Sequence, residues 1–507
     1  MTFKKYLIAF FISVSFFGSS AFAQAPAGTP PPVSAAPRSE DPPVVTKHTS
    51  RVSGRQLNYT VTTGFMPIRN AVSGETEGRI FYMAYTLDGA DKRTRPLMFS
   101  FNGGPGSASV WLHLGALGPK RVKMLDDGLM PPAPYELVEN DQSWLDLTDL
   151  VFVDPVGTGY SRATKPEFAS KFFSVNGDID ANGEFIRMYL GRGERWASPL
   201  YLVGESYGTT RVAGLANHLF ERGIGLNGIA MVSMVTNFQT IRFADNNDAP
   251  LVMYFPSYAA TAWYHKTLSP ALQAKPLTQV LREAENFAAR ELGPALLRID
   301  QLTAAEKNDL LEKFSTYSGL SKGFIDDQNF RVELGEFNKE LLRSRKRTTG
   351  RLDSRFLGYD RDSGGMSPEF DPSLTAIRTP FTSTFNDYVR GDLGFKTDLE
   401  YYILGGGITS PWNWNTNNAY ADTTGQMSSA MRKNPYMKVF LASGYYDMAT
   451  PYFAADYTMS SMNLDPVLRR NITTEYYEAG HMMYIEKNSL IKLKRDIATF
   501  MQTSTKR

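Results

Sequence analysis

The chain has 507 residues, of which 42% are hydrophobic and 13% aromatic, enough apolar material for a large buried core. Its 54 Lys and Arg residues against 52 Asp and Glu residues give a formal net charge of +2. That balance argues against nucleic acid or an anionic membrane as the main partner. The sequence therefore predicts a large globular protein.

The N-terminal segment has the pattern of a secretory signal. Lys4 and Lys5 precede an apolar stretch over residues 6–17, and residues 21–23 have the A-x-A form of a cleavage site. A membrane anchor is the alternative interpretation, but the apolar stretch is short and no second one follows. We expect cleavage near residue 23. Because the chain contains no cysteine, we also expect a fold without disulfides. Together with the export signal, this suits a bacterial periplasmic protein.

Proline and small residues dominate the range 24–47, which predicts an extended linker. Candidate strands then alternate with helical patterns, as in a mostly parallel α/β sheet. These strands lie near Met98, Leu150, Leu200, Ile229, Val439 and Thr474. The fourth and fifth are separated by far more than the roughly 2 to 6 residues of an ordinary connection. The intervening charged, helix-patterned stretch predicts an inserted cap.

A glycine-rich loop over residues 102–106 follows the strand-like run 97–101. Glycine lets a backbone amide turn toward a ligand without a side chain in the way. The loop lacks the lysine of a phosphate-binding P-loop. It is therefore a candidate for one half of an oxyanion hole, with the backbone N–H of Tyr207 as the other half.

A G-x-S-x-G pattern at residues 204–208 stands between a strand-like run (200–203) and a helix-like run (209–221). That context predicts a nucleophile elbow, which holds Ser206 out where a base can reach it. A structural turn is the alternative interpretation, because Gly and Ser are common residues.

An activated serine also needs a general base. If the elbow belongs to an α/β-hydrolase sheet, the triad runs Ser, then Asp or Glu, then His along the chain. His481 fits this order best among the five histidines. His218 lies too close to the elbow, and His265 leaves little room for two strands and an acid. Both are expected to be structural or surface residues.

The acid that orients the base is expected in a loop at the carboxyl edge of the sheet. Asp447 follows the strand-like run 438–442 and precedes the strand that leads to the histidine, over residues 473–477. Asp456 and Asp465 are competitors, but neither follows a strand exit so closely. The order of strand, loop and Asp, then strand, loop and His, favours Asp447.

The fold class that follows is α/β: an α/β-hydrolase fold with helices on both faces of a mostly parallel central sheet. Its predicted parts are a signal peptide (1–23), a linker (24–47), the first part of the hydrolase core (48–239), a helical cap insertion (240–375) and the second part of the core (376–507).

Five motifs together resemble those of the serine carboxypeptidase family. They are N-G-G-P-G-S at 102–107, D-P-V-G-T-G-Y-S at 154–161, G-E-S-Y-G at 204–208, G-Y-Y-D at 444–447 and G-H-M at 480–482. The resemblance implies a catalytic triad, an oxyanion hole and a site for the C-terminal carboxylate of a peptide. The implied residues are Ser206, Asp447 and His481 for the triad, Gly104 and Tyr207 for the oxyanion, and Asn102, Gly103 and Glu205 for the carboxylate.

Three positions depart from the family pattern. Ala116 stands where the family usually has a glutamate that shares a proton with the position of Glu205. Two carboxyl groups close together raise one pKa, so without this partner we expect Glu205 to ionise and to repel a substrate carboxylate. Tyr445 and Tyr484 replace an acidic residue and a proline, and both changes are expected to be tolerated because neither position belongs to the triad.

The sequence thus predicts a secreted serine-type carboxypeptidase that acts on peptide or small acyl substrates through an acyl-enzyme. No metal, cofactor, nucleic-acid partner or stable membrane anchor is expected. An esterase, amidase or acyltransferase on the same scaffold is the alternative. A non-catalytic binding protein is a third possibility, against which the complete triad argues.

Overall fold

The computed structural model describes residues 42–505, so the predicted signal peptide and most of the predicted linker lie outside the described residues. The strands are β1 (Val44–Val52), β2 (Arg55–Arg69), β3 (Thr76–Leu87), β4 (Leu97–Phe101), β5 (Lys120–Val122), β6 (Leu137–Glu139), β7 (Asp149–Asp154), β8 (Arg162–Ala163), β9 (Leu200–Ser206), β10 (Gly228–Met234), β11 (Thr348–Thr349), β12 (Leu357–Gly358), β13 (Lys438–Gly444) and β14 (Ile472–Tyr477).

The helices connect and cover these strands. They are α1 (Val110–Leu112), α2 (Pro166–Phe172), α3 (Val175–Gly193), α4 (Tyr207–Glu221), α5 (Ala249–Tyr264), α6 (Pro270–Gln273), α7 (Leu277–Phe287), α8 (Gly293–Leu296), α9 (Ala304–Ser318), α10 (Lys322–Asp327), α11 (Leu334–Glu340), α12 (Pro372–Gly391), α13 (Thr424–Lys433), α14 (Tyr452–Ser461), α15 (Pro466–Arg469) and α16 (Lys487–Thr505).

The large sheet has the order β1-β2-β3-β7-β4-β9-β10-β13-β14, with β8 paired to β3. From β7 to β14 every neighbouring pair is parallel, whereas β1, β2, β3 and β7 pair antiparallel. The six candidate strands of the sequence are β4, β7, β9, β10, β13 and β14, which confirms the α/β-hydrolase fold. The antiparallel strands β1 to β3 were not predicted.

The central strands read as continuous apolar runs because both of their faces are covered, as in other parallel sheets. Successive side chains of a strand point to opposite faces. Accordingly, Met98 joins the core cluster that contains residues of α12 and α16, while its neighbour Phe99 joins the cluster that contains residues of α3, α4 and α13. Helices therefore cover both faces of the sheet.

The sequence did not predict the hairpin of β1 and β2, because β1 begins at Val44, inside the range 24–47 assigned to the linker. Its two-residue turn is Ser53-Gly54, with φ angles of 50° and 74°. Positive φ at both central residues is the conformation whose twist matches that of paired strands. This hairpin extends the sheet on the side away from β14.

Between β10 and β13 the chain forms the helices α5 to α13, of which α5 to α11 lie within the stretch predicted as a cap. An amphipathic stripe lies on α7 and the turn after it, and its members are buried: Leu277, Val280, Leu281, Ala284, Phe287, Ala288 and Leu292. The predicted boundary after residue 375 falls inside α12, where Phe381 and Phe385 pack in the same core cluster as the sheet residue Phe152. The division into domains stays a prediction.

Candidate active site

The end of β9 forms a sharp turn at Ser206, which has φ 59° and ψ −129° directly before α4. A non-glycine residue at such angles is strained and is held there only by its surroundings. The flanking glycines explain the motif. A Cβ on Gly204 would lie 2.2 Å from the carbonyl oxygen of Gly208, and one on Gly208 would lie 2.6 Å from the carbonyl oxygen of Phe101. The turn therefore has the form of the predicted nucleophile elbow.

The glycine-rich loop after β4 lies against this turn. A Cβ on Gly103 would be 2.5 Å from the backbone nitrogen of Tyr207 and 2.8 Å from the Cβ of Ser206. Gly104 has a φ of 100°, which L side chains rarely adopt. Gly104, Ser206 and Tyr207 line one cavity of about 310 Å³. The two loops thus bring the predicted oxyanion donors and the predicted nucleophile to the same wall.

Asp447 follows β13 and His481 follows β14, and the two side chains meet in the interior. The Nδ1 atom of His481 lies 2.8 Å from the Oδ2 atom of Asp447, and both residues are buried. The other carboxylate oxygen accepts hydrogen bonds from the backbone nitrogens of Ala449 (2.8 Å) and Thr450 (3.0 Å). Since a carboxylate can only accept, Nδ1 donates, which leaves Nε2 as the basic nitrogen.

Burial lowers the pKa of His481, but the charge and hydrogen bond of Asp447 outweigh burial, so the net pKa is raised. The imidazolium form is therefore stabilised, as a general base requires once it has taken a proton. The backbone of His481 is fixed as well, because its N–H donates to the carbonyl of Leu352 (2.6 Å) and its carbonyl accepts from the hydroxyl of Ser233 (2.6 Å).

The competing acids have other partners. The Oδ1 atom of Asp456 accepts from the Tyr476 hydroxyl at 2.8 Å, and Asp465 caps α15 through the backbone nitrogen of Val467 at 2.8 Å. Neither is the carboxylate bonded to His481. The order of strands along the chain therefore selected the acid that the structure pairs with the histidine.

The competing histidines lie away from this pair. His218 contacts Asp180, with 3.2 Å between the ring Nδ1 and the carboxylate. The Nε2 atom of His265 lies 2.7 Å from the carbonyl oxygen of Ser354. Both contacts agree with structural or surface roles.

Glu205, the residue before the elbow serine, is buried and hydrogen-bonded at both oxygens. Asn102 donates its side-chain amide to Oε1 at 3.0 Å, and the Tyr484 hydroxyl donates to Oε2 at 2.5 Å. Burial raises the pKa of Glu205 to about 7, although nearby His481 and the two donors favour its charged form. The raised pKa runs against the expectation that Glu205 ionises readily, because burial, together with the charge of Asp447, disfavours the carboxylate even without a glutamate at position 116.

The carbonyl of Asn102 is held by a buried ion pair. Arg211 on α4 donates to this carbonyl oxygen at 2.6 Å and to the Oδ2 atom of Asp178 on α3 at 2.8 Å. The side chains of Arg211 and Asp178 are 1% and 3% exposed, so the pair is out of contact with water. Helices α3 and α4 thus fix the backbone of the glycine-rich loop.

The motif at residues 154–161 supports the same loop region. Asp154 accepts hydrogen bonds from the backbone nitrogen and hydroxyl of Ser109, both at 2.8 Å, and burial raises its pKa to about 6. Ser161 donates to the Asp154 carbonyl at 2.6 Å and accepts from the backbone of Phe81 at 2.7 Å. Its contacts are those of a structural element beside the site.

A family model described as serine carboxypeptidase matches residues 53–495. The chain belongs to the serine carboxypeptidase family. That membership makes it a serine hydrolase and agrees with the arrangement of the elbow, the acid and the histidine. Among residues 42–505, no cluster of three or more His, Asp or Glu side chains could hold a metal ion, and no helix is long and apolar enough to cross a membrane.

The match to curated relatives of this carboxypeptidase family member spans only about a fifth to a third of their own length. The pheromone-processing carboxypeptidase kex1 of Talaromyces marneffei is 31% identical over 160 residues, which are 30% of this chain and 22% of that protein. Serine carboxypeptidase-like 8 of Arabidopsis thaliana is 28% identical over 171 residues, 32% of this chain and 36% of that protein. Among solved structures, a proline iminopeptidase of Mycobacterium smegmatis has 12% identity and a TM-score of 0.35, covering 87% of this chain and 98% of that chain.

At Tyr484, which departs from the carboxypeptidase pattern, the structure shows a contact with Glu205 that sequence reasoning missed. The tyrosine follows His481 by three residues, and its ring packs so closely on Gly115 that a Cβ there would lie 2.3 Å from Cε2. Ala116, the neighbour of Gly115, is the position that lacks the family's glutamate. A phenol at 484 therefore contacts Glu205 from beside the segment where the family carries a carboxyl group.

Proposed function

We propose that this protein is a serine-type carboxypeptidase that hydrolyses C-terminal peptide bonds through an acyl-enzyme. His481 takes the proton of Ser206 as its oxygen attacks the carbonyl carbon, and later returns a proton to the leaving amine. Asp447 orients the imidazole and stabilises its charged form. The backbone amides of Gly104 and Tyr207 donate to the tetrahedral oxyanion. Water then attacks the acyl-enzyme and releases the shortened peptide.

The observation that carries this proposal is the buried pair of His481 and Asp447, 2.8 Å apart, at the same sheet edge as a strained serine. A strained, glycine-flanked serine has no structural advantage in itself, because ordinary turns form without unfavourable angles. Its presence beside a glycine loop supports nucleophilic catalysis.

Asn102, Gly103 and Glu205 are proposed to bind the terminal carboxylate of the substrate. A carboxyl group with a pKa of about 7 is largely protonated below that pH and can donate a hydrogen bond to a carboxylate instead of repelling it. The amide of Asn102 and the phenol of Tyr484 orient that carboxyl group. Recognition of the terminus is thus expected to weaken as the pH rises through 7.

An esterase, amidase or acyltransferase is the second candidate, and the same group favours it. Above pH 7 an ionised Glu205 would exclude substrates with a free terminus while leaving the triad competent. Uncharged acyl substrates would then be preferred at alkaline pH. The complete triad argues against a non-catalytic binding protein.

Two peptides of one sequence, one with a free C-terminal carboxylate and one with a C-terminal amide, separate these candidates. A carboxypeptidase releases the last residue of the free acid much faster than it releases the amidated residue. Mass spectrometry of the products across pH 5 to 9 gives the bond position, the residue preference and the pH range. Equal rates on both peptides would contradict the carboxypeptidase proposal and support the second candidate.

The compartment and the division into domains are also proposals. The sequence pattern of residues 1–23 supports export, followed by cleavage, into a bacterial periplasm. The helices between β10 and β13 support a cap over residues 240–375, since Leu334 of α11 and Arg351 line the cavity of Ser206. A peptide substrate would enter beneath these segments.

A further inference from the structure

The cavity that holds Ser206 carries positive charge without a matching acid. Two arginines line it, Arg242 after β10 and Arg351 between β11 and β12, and no Asp or Glu side chain does. Within residues 42–505, neither guanidinium forms an ion pair with a carboxylate. A buried arginine such as Arg211 is paired with a carboxylate of the chain, Asp178, whereas Arg242 and Arg351 are exposed and can pair with a charge from outside the chain.

Both arginines are held in place by other means. The guanidinium of Arg242 lies over the rings of Trp414 and Phe238, 5.2 Å and 5.7 Å from their centroids. The backbone of Arg351 is fixed on both sides, because its N–H donates to Asp371 at 3.0 Å and its carbonyl accepts from Met448 at 3.0 Å. Stacking therefore positions the guanidinium of Arg242, and the backbone bonds position the main chain of Arg351, while the guanidinium donors of both residues stay available.

The charges of both guanidinium groups act on Tyr254, which lines the cavity. Burial raises the pKa of Tyr254, and both Arg351 and Arg242 oppose this effect through their charges. The Asp447 carboxylate acts on Tyr254 in the opposite sense, but it does not line the cavity and is bonded to His481 and Thr450. Because Arg242, Arg351 and Tyr254 line the same cavity, an anionic group bound there would be attracted by both cations.

The cavity lies on the acyl side of the scissile bond if the proposed function holds. Gly104, Ser206 and Tyr207 line it, whereas Asn102, Gly103 and Glu205, proposed for the terminal carboxylate, do not. A volume of about 310 Å³ is at the lower end of the range for ligand pockets, roughly 300 to 1,000 Å³. It therefore suits one side chain of the substrate.

We propose that Arg242 and Arg351 form an arginine subsite that selects substrates with an acidic side chain, glutamate or aspartate, at the residue whose carbonyl is attacked. This inference rests on the proposed function and names its substrate class. Guanidinium forks match carboxylates in shape and charge. A hydrogen-bonded charge pair of this kind gives a preference of roughly 10- to 100-fold over the uncharged isostere.

The test compares two N-blocked dipeptides, glutamyl-alanine and glutaminyl-alanine, which differ in one charge at the acyl residue. We expect kcat/KM to favour the glutamyl substrate by roughly 10- to 100-fold. Arg242→Gln and Arg351→Gln each reduce this ratio, the double variant brings it near one, and Arg351→Lys retains part of it. Arg290→Gln, an exposed arginine of the helical insertion, is the matched control and leaves the ratio unchanged.

The ratio of kcat/KM for the two substrates also excludes an indirect effect through the catalytic base. Arg351 lowers the pKa of His481, so its variant alters the base, but that change acts on both substrates alike and cancels. A wild-type ratio at or below one, or a ratio that survives in the double variant, would overturn the proposal. Equal losses on both free acids that vanish on their C-terminal amides would also overturn it, because the arginines would then bind the terminal carboxylate.

Failure of the proposed function gives a different result. The α-methyl esters of N-blocked glutamate and glutamine present the same two acyl groups without a C-terminal residue. If no dipeptide is cleaved but the esters show the arginine-dependent ratio, the subsite stands and the carboxypeptidase proposal falls. If the dipeptides are cleaved without an acidic preference, the reverse holds.

Discussion

The carboxyl edge of the sheet and the helical insertion contribute to one cavity in opposite ways. At the sheet edge the cavity wall is formed by closely packed backbone. Gly103 lies against the turn at Ser206 so closely that no side chain would fit. From the stretch after β10, Arg242 and Arg351 line the cavity as exposed side chains that pair with no carboxylate among residues 42–505.

In the proposed function, the sheet edge carries out acyl transfer and the loop side chains select the substrate. Acyl transfer needs the nucleophile, base and oxyanion donors held to a fraction of an ångström, which buried backbone provides. Selection among substrates needs only a charge or shape at the cavity wall, which a loop side chain can supply and can change without disturbing the core. Each of the following experiments tests one side of this division, in order of its expected effect on turnover.

The largest effect is expected from Ser206→Ala. Loss of the nucleophile should reduce peptide hydrolysis by roughly 10⁴-fold or more, while the thermal unfolding midpoint stays within a few degrees. Release of the C-terminal residue and labelling by a fluorophosphonate are both measured, and both should be lost. Ser460→Ala, on the exposed end of α14, is the control. Unchanged turnover in Ser206→Ala would remove the serine from the mechanism.

Asp447→Asn is expected to lower kcat by roughly 10³- to 10⁴-fold, because an amide can donate to the imidazole and so favour the wrong tautomer. Asp456→Asn is the matched control, since Asp456 is the acid that competed with Asp447 in the sequence and is bonded to Tyr476. It should change kcat by less than about threefold. A reversed pattern would assign the triad acid to Asp456.

The pH profile on a free-acid peptide is expected to be bell-shaped. Activity falls on the acid side as His481 becomes protonated, at a pKa above its ordinary value, and on the alkaline side as Glu205 ionises near pH 7. The Tyr484 hydroxyl favours the ionised form of Glu205, so Tyr484→Phe should move the alkaline limb of kcat/KM to higher pH.

Two further enzymes make this test specific. Glu205→Gln carries no ionisable group at that position and should lose the alkaline limb for free acids. Tyr445→Phe, the other tyrosine that departs from the family pattern, should leave the limb where it is. An alkaline limb that appears equally on C-terminal amides would show that Glu205 does not read the terminus.

The smallest effect on turnover of a small ester is expected from the core of the helical insertion. Phe314 is 2% exposed and packs on Phe255 with 4.9 Å between ring centroids. Phe314→Ala should reduce the free energy of unfolding by about 3 to 5 kcal/mol, whereas Leu297→Ala, at a residue 86% exposed, should change it by less than about 0.5 kcal/mol. Denaturant unfolding measures both. Equal stability of the two variants would show that the insertion lacks a packed core of its own.

Local patterns were sufficient where function depends on backbone geometry. The glycines of the elbow could be found because a Cβ at Gly204 or Gly208 would collide with the backbone, so only one residue type fits. Asp447 and His481 could be chosen from chain order, since carboxyl ends of parallel strands meet at one edge of the sheet.

Contacts between distant segments were beyond such patterns. Tyr484 and Glu205 are 279 positions apart. From the sequence the tyrosine is a tolerated substitution, whereas in the structure its hydroxyl donates a hydrogen bond to the Glu205 carboxylate. The hairpin of β1 and β2 was missed for a related reason: its alternation is that of a strand covered on one face, next to a proline-rich range.

The amino-acid sequence by itself determined the fold class and the form of the elbow, and it selected the Asp447 and His481 that the structure pairs, because each rests on steric limits or on strand order. Only the tertiary structure decided the state of Glu205 and the character of the cavity. Burial raises the pKa of that carboxyl group to about 7, and two arginines from separate loops give the cavity its charge. Solvent exposure and the distances between remote side chains set these electrostatic properties, and neither is written in any local run of residues.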